Sequence, residues 1–125
     1  MIFRWGEFTS AAGQTLPFKI ECDGLTSEDW DCLARMVAAR VEFGSVEGVP
    51  RGGLPFAEAL APLATEGPLL VVDDVFTTGA SIKRHLAGRK AQCVVVFSRA
   101  KYMPFWIHPL FWLNWNPWPL PKGAA

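Results

Sequence analysis

The sequence predicts an α/β fold with a mainly parallel central sheet flanked by helices. The continuous apolar run Leu69-Leu70-Val71-Val72 and a further buried strand over 92–97 carry that expectation, because strands buried on both faces belong to parallel sheets. Segments of helical periodicity separate the strands in the order strand, helix, strand, helix, strand, which is the pattern of crossover connections. Half of the 125 residues are apolar and 19% are charged, so the chain is globular and long enough for one domain with a real core.

The first 22 residues read as strand and turn: a strand over 2–5, turn chemistry at Ala12-Gly13-Gln14, and apolar–polar alternation over 18–22. Thr26-Ser27-Glu28-Asp29 opens a helix, with a hydroxyl cap followed by acids that suit the positive end of the dipole. Trp30, Leu33, Met36, Val37 and Val41 then recur on one face, so this helix is expected to run to about Val41. A short strand over 46–49 leads into the tight loop Pro50-Arg51-Gly52-Gly53. A second helix over 54–65 tolerates Pro55 in its first turn, while Pro62 threatens its last. The strand over 69–72 ends in a loop over 73–79, a third helix covers about 80–87, and the strand over 92–97 follows. The stretch from Tyr102 to Trp118 is aromatic and proline-rich, and 119–125 reads as a frayed end.

Twelve Lys and Arg balance twelve Asp and Glu, which argues against a nucleic-acid polymer as partner, since phosphate neutralisation needs a basic excess. Cys22, Cys32 and Cys93 are odd in number and form neither a CxxC pair nor a zinc-like spacing with His85 or His108. They read as reduced thiols, which points to a cytoplasmic protein. The amino-terminal residues lack the apolar run of a signal peptide, and no stretch approaches a membrane-spanning length. The expectation is a soluble chain with no membrane partner.

The informative segment is the strand that ends in Asp73-Asp74 and continues Val75-Phe76-Thr77-Thr78-Gly79-Ala80-Ser81. Ligands of parallel sheets bind at the carboxyl ends of the strands, where this loop must lie. Backbone amides and hydroxyls from Thr77 to Ser81, at the start of a helix, can hold a phosphate without any lysine. Two carboxylates beside a phosphate repel it unless a cation or hydroxyls stand between them. A sugar phosphate meets that condition: the acids take the diol and the turn takes the phosphate.

An apolar strand, two acids and a Thr-Thr-Gly turn in this order resemble the phosphoribosyl diphosphate (PRPP) motif of type I phosphoribosyltransferases. The resemblance implies a compact phosphoribosyltransferase-like domain over 1–118 with the tail 119–125 outside it. It implies that Asp73 and Asp74 hold the ribose hydroxyls and stabilise charge developing at the ring. Val75, Phe76, Thr77, Thr78, Gly79, Ala80 and Ser81 would form the 5′-phosphate site. Arg51, Gly52 and Gly53 resemble the family's pyrophosphate loop, although an ordinary Gly-rich turn with a solvated arginine has the same composition. Mg²⁺ is implied as a passenger on PRPP oxygens, with no direct protein ligand, and a homodimer is implied as the assembly.

Residues 6–13 and 16–21 resemble the amino-terminal segment of orotate phosphoribosyltransferases, which makes Phe18 and Lys19 candidates for base binding. An edge hairpin without ligand contact is the alternative. Phe105 and Trp106 follow the last core strand, where purine-specific members place a stacking aromatic. The alternatives are a flap that completes the core or an aromatic dimer patch. The implied reaction transfers the 5-phosphoribosyl group from PRPP to a nitrogenous base, a pyrimidine such as orotate or a purine, and releases pyrophosphate. One departure matters. Between Gly53 and Leu69 there is room for one helix and not for the long covering loop of most members. A non-catalytic module that binds PRPP or a nucleotide monophosphate is therefore the competing expectation.

Overall fold

The computed structural model describes residues 1–9 and 15–113. Four parallel strands form the central sheet in the order β3 (Ser45–Gly48), β4 (Leu69–Phe76), β5 (Gln92–Ser98) and β6 (Ile107–Trp112). An antiparallel pair, β1 (Phe3–Thr9) and β2 (Thr15–Ile20), lies outside that sheet. Among the described residues the α-helices are α1 (Ser27–Ala38), α2 (Leu54–Leu60) and α3 (Ala80–Leu86).

Alternation along the strands divides the core between the two faces. On one face, Leu70, Val72, Val94 and Val96 meet Trp30, Leu33, Phe56 and Leu60 from α1 and α2. On the other, Val71, Cys93 and Val95 meet Ile82 and Leu86 from α3, together with Ile107. The β1–β2 pair joins the first face: Phe3 sets its ring edge-on to Phe97 at 6.0 Å between centroids, and Phe18 packs against the same cluster.

Local chemistry explains where the helices stop. α1 begins in a capping box, with Asp29 N donating to Thr26 Oγ1 (3.2 Å) and Thr26 N donating to Asp29 Oδ2 (2.9 Å). It ends at Ala38, short of the expected Val41. Arg40 N donates to Val37 O (2.9 Å) and tightens the last turn, after which Val41 and the buried Phe43 turn into the core. α2 stops at Leu60, well before residue 65, and gives way to a 3₁₀ turn over Ala61–Leu63, because Pro62 has no N–H with which to continue the helix.

The strands also depart from expectation. β1 and β2 overlap the expected strands but are shifted, β1 running on to Thr9 and β2 starting at Thr15 and ending at Ile20. β4 continues through the acid pair to Phe76, where a loop was expected from residue 73, because Val75 and Phe76 still pair with Phe97 and Ser98 and pack into the two cores. The aromatic stretch supplies a fourth parallel strand over Ile107–Trp112. Pro109 is tolerated there because β6 is an edge strand. The expected turn at Ala12-Gly13-Gln14 and the tail 119–125 lie outside the described residues. Among the described residues, no helix is long and apolar enough to cross a membrane.

Candidate active site

The acid pair sits where the β4–β5 ladder lapses. Pairing runs from Asp73↔Val95 to Val75↔Phe97 and leaves Asp74 without a ladder partner. Side chains take over the amides there: Asp74 N donates to Asp73 Oδ1 (2.8 Å) and Val75 N donates to Asp74 Oδ1 (2.7 Å). The irregularity resets the alternation, so Val72 and Val75 face the α1–α2 side while Val71 and Phe76 face α3. Two acids are thereby held at the end of a strand without disturbing the core on either face.

Asp73 is 8% exposed, and burial pushes its carboxyl up to about 7. The hydrogen bond it shares with the Asp74 carboxyl and the negative charge there push in the same direction, against the opposing pull of the Asp74 amide. Near neutrality, Asp73 is thus poised between a hydroxyl-accepting carboxylate and a donating acid.

Two backbone-rich turns flank the pair. The 50–53 loop rests directly on Asp74: a Cβ on Gly52 would lie within 2.7 Å of the carboxylate, so glycine is needed for the close approach. Val49 N donates to Val72 O (2.8 Å) and Gly53 N donates to Val49 O (2.9 Å), tying the loop to the end of β4. The Pro50–Arg51 peptide is cis, and Arg51 is exposed. On the other side, Thr77, Thr78 and Gly79 lead into α3. Gly79 has φ 81°, and a Cβ there would stand 2.9 Å from the Phe76 ring. No side chain caps the first turn of α3, and the Thr78 hydroxyl accepts from Ala80 N at 3.4 Å. Helix geometry leaves such first-turn amides without intrahelical acceptors. Asp73 and residues 75–82 line a pocket with about 230 Å³ of empty space, its mouth included.

The candidate base-binding residues are placed apart. Phe18 lies beneath Arg99, whose guanidinium carbon is 4.1 Å from the ring centroid. Lys19 is exposed and reaches Glu21 Oε1 at 3.6 Å, a carboxylate already held by Arg4 at 3.0 Å. Phe105 is 93% exposed, and Trp106 packs with the core on the α3 side, the face opposite Phe18. The structure therefore does not bring Phe105 or Trp106 to Phe18.

Arg99 is the residue that sequence reasoning passed over. It follows Ser98 at the carboxyl end of β5, and its Nε is buried with no hydrogen-bond partner. Burial lowers its pKa. The signal lay in the sequence, as a cation immediately after a buried strand. Cys22, just beyond β2, is also drawn into the site's field. Burial first, and then the charges of Asp74, Asp23 and Asp73, push its thiol up to about 12.

No family model matches the chain, and no curated protein matches it. Solved structures do. The chain is similar to the orotate phosphoribosyltransferase from Aeropyrum pernix with a TM-score of 0.72 and 22% identity, covering 90% of this chain and 89% of that one. It is similar to the UMP synthase of Leishmania donovani with a TM-score of 0.73 and 18% identity, covering 90% of this chain and 34% of that one. The orotate phosphoribosyltransferase of Mycobacterium tuberculosis H37Rv, in complex with inorganic phosphate, gives a TM-score of 0.60 at 17% identity over 86% of each chain. The likeness is one of fold: the chain has the type I phosphoribosyltransferase fold.

Proposed function

We propose that the protein transfers the 5-phosphoribosyl group from PRPP to an acidic pyrimidine such as orotate, with release of pyrophosphate. The observation that carries this reading is the acid pair of β4 set between two backbone-rich turns at one sheet edge. The 50–53 loop abuts Asp74, and the 77–81 turn shares a pocket with Asp73. The ribose diol suits the acids, the 5′-phosphate suits the turn, and the pyrophosphate suits Arg51 with the amides of Gly52 and Gly53.

The base nitrogen supplies the electron pair for the new bond at C1. The bond from C1 to the pyrophosphate oxygen breaks with its pair on oxygen, and the nitrogen's proton passes to solvent. Asp74 and the ionised form of Asp73 would stabilise positive charge developing on the ring. A protein nucleophile is not required. Arg99 and Phe18 support an anionic planar base: a half-exposed guanidinium whose buried Nε has no partner suits a carboxylate, and the aromatic ring beside it suits a planar ring. Among the described residues, no group of three or more His, Cys, Asp or Glu could hold a metal ion. A Mg²⁺ carried on the pyrophosphate and ribose oxygens of PRPP, with no direct protein ligand, would offset charge on the leaving pyrophosphate.

A second reading has its own observation. α2 leads through the Ala61–Leu63 turn and five further residues straight to β4, which leaves no covering loop between them. A binding module that senses PRPP or a nucleotide monophosphate suits that economy. Incubation with Mg²⁺, PRPP and a panel of bases separates the two. Pyrophosphate release with orotate supports the enzyme, and a PRPP-dependent thermal shift with no release under any base supports the module. Neither signal, from folded protein, removes both readings.

A further inference from the structure

Outside the pocket, one cluster ties together the two elements that carry its anion-binding turns. Glu47 stands one residue before the end of β3, just ahead of the turn that leads to Arg51. His85 belongs to the last turn of α3, the helix that the 77–81 turn opens, and Arg89 follows three residues after that helix ends. Glu47 Oε1 meets His85 Nε2 at 2.8 Å and accepts from Arg89 Nη2 at 2.8 Å, while Oε2 accepts from Arg89 Nη1 at 3.0 Å.

The arginine is fixed from its other side as well. Its Nε donates to Leu86 O (3.1 Å) and its Nη2 to His85 O (3.2 Å), two carbonyls at the carboxyl end of α3. A fork held in this way is already oriented for the carboxylate, unlike the two free side chains of an ordinary surface pair. The hydrogen bonds from Arg89 and then His85 hold the Glu47 carboxyl down at about 2.

The position of this cluster gives it a consequence. β3 is an edge strand of four residues, paired on one side by β4. Where α2 packs one face of β3, Glu47 adds a hydrogen-bonded tie from β3 to the end of α3 on the other.

We propose that Glu47, His85 and Arg89 form a strut that sets the spacing between the 50–53 loop and the 77–81 turn, making them positioning residues for a ligand that must occupy both. The proposal rests on the function proposed above. PRPP spans the two turns with its pyrophosphate and 5′-phosphate, whereas ribose 5-phosphate needs the acids and the 77–81 turn alone. Loosening the strut penalises the first ligand and spares the second, because the cost lies in the relative placement of two contacts.

Calorimetric titration of wild type and Glu47→Ala with PRPP and with ribose 5-phosphate, both with Mg²⁺, tests this. The expected result is PRPP affinity lower by about tenfold or more, with ribose 5-phosphate affinity changed by no more than about twofold. Glu47→Gln, which still accepts from Arg89, recovers most of the loss. Should Glu47→Ala fail to fold, Arg89→Gln and His85→Ala carry the same comparison. Equal weakening of both ligands reduces the cluster to a general stabiliser and overturns the proposal, as does unchanged PRPP affinity. A wild-type protein that binds neither ligand overturns the underlying functional reading, and the strut proposal with it.

Discussion

Replacing Asp73 by Asn separates what the acid does for ligand from what it does to the fold. The Asp73 carboxyl is raised from 3.8 to about 7, with burial as the first cause. Between about pH 4 and pH 7 the unfolded chain has lost this proton while the folded chain still holds it, so unfolding releases a proton and stability falls as pH rises through that window. The contribution is fully present below pH 4 and gone above the folded value. About three units at 1.36 kcal/mol each amount to about 4 kcal/mol, or a shift in Tm on the order of 10 °C for a domain of this size. Asn imitates the neutral acid: its carbonyl can accept from Asp74 N, and its amide can donate to the Asp74 carboxylate. Thermal melts of both proteins from pH 5 to pH 8 are the assay. Wild type should lose Tm relative to Asp73→Asn as pH rises, leaving the variant the more stable at pH 8 yet deficient in PRPP binding. A Tm difference that stays constant across that range refutes the reasoning, because it would mean that Asp73 does not titrate there.

Three other substitutions probe the rest of the site. Gly52→Ala drives a Cβ into the Asp74 carboxylate, so that carboxylate or the 50–53 loop must give way; pyrophosphate affinity measured by calorimetry should fall about tenfold or more in a protein that still folds. Arg99→Met removes a guanidinium whose buried Nε has no partner, so thermal stability should hold or rise while KM for orotate rises about tenfold or more; an unchanged KM removes Arg99 from base recognition. Gly79→Ala meets both a positive φ and the Phe76 ring, and should cost about 1 kcal/mol or more in denaturant unfolding along with weaker ribose 5-phosphate binding.

Sequence reasoning reached the sheet and its parallel sense because strands and helices alternate along the chain, and it reached the acid–turn segment because that is written within a dozen consecutive residues. Leu70, Val71 and Val72 announce burial by being continuously apolar, and Thr77 to Ser81 announce a turn by chemistry. It misjudged the end of β4 because acids inside a strand look like a loop until Val75 and Phe76 are seen pairing with Phe97 and Ser98. It missed β6 because Pro109 argues against a strand, and only the neighbouring edge makes it admissible. The pairings that refine the site were illegible for a different reason. Phe18 with Arg99, Gly52 with Asp74 and Glu47 with Arg89 are far apart in the chain, and each residue alone is ordinary.

The same long-range pairs bear on whether binding and turnover can come apart in so short a chain. A covering loop would bring mobile cations and exclude water at the moment of reaction. Between α2 and β4 there is no such loop, and the cations the fold itself holds at the carboxyl ends of the strands include Arg51 on the 50–53 loop and Arg99 after β5, over Phe18. Fixed groups of this kind can recognise pyrophosphate and base in the ground state without any closure. Stabilising the charge that develops at C1 falls instead to Asp73 and Asp74, and at neutral pH one of the two still carries its proton for part of the time. Affinity for base and for pyrophosphate should therefore survive at pH values where turnover is already falling, and turnover should fall as pH drops through about 7 and Asp73 takes up its proton.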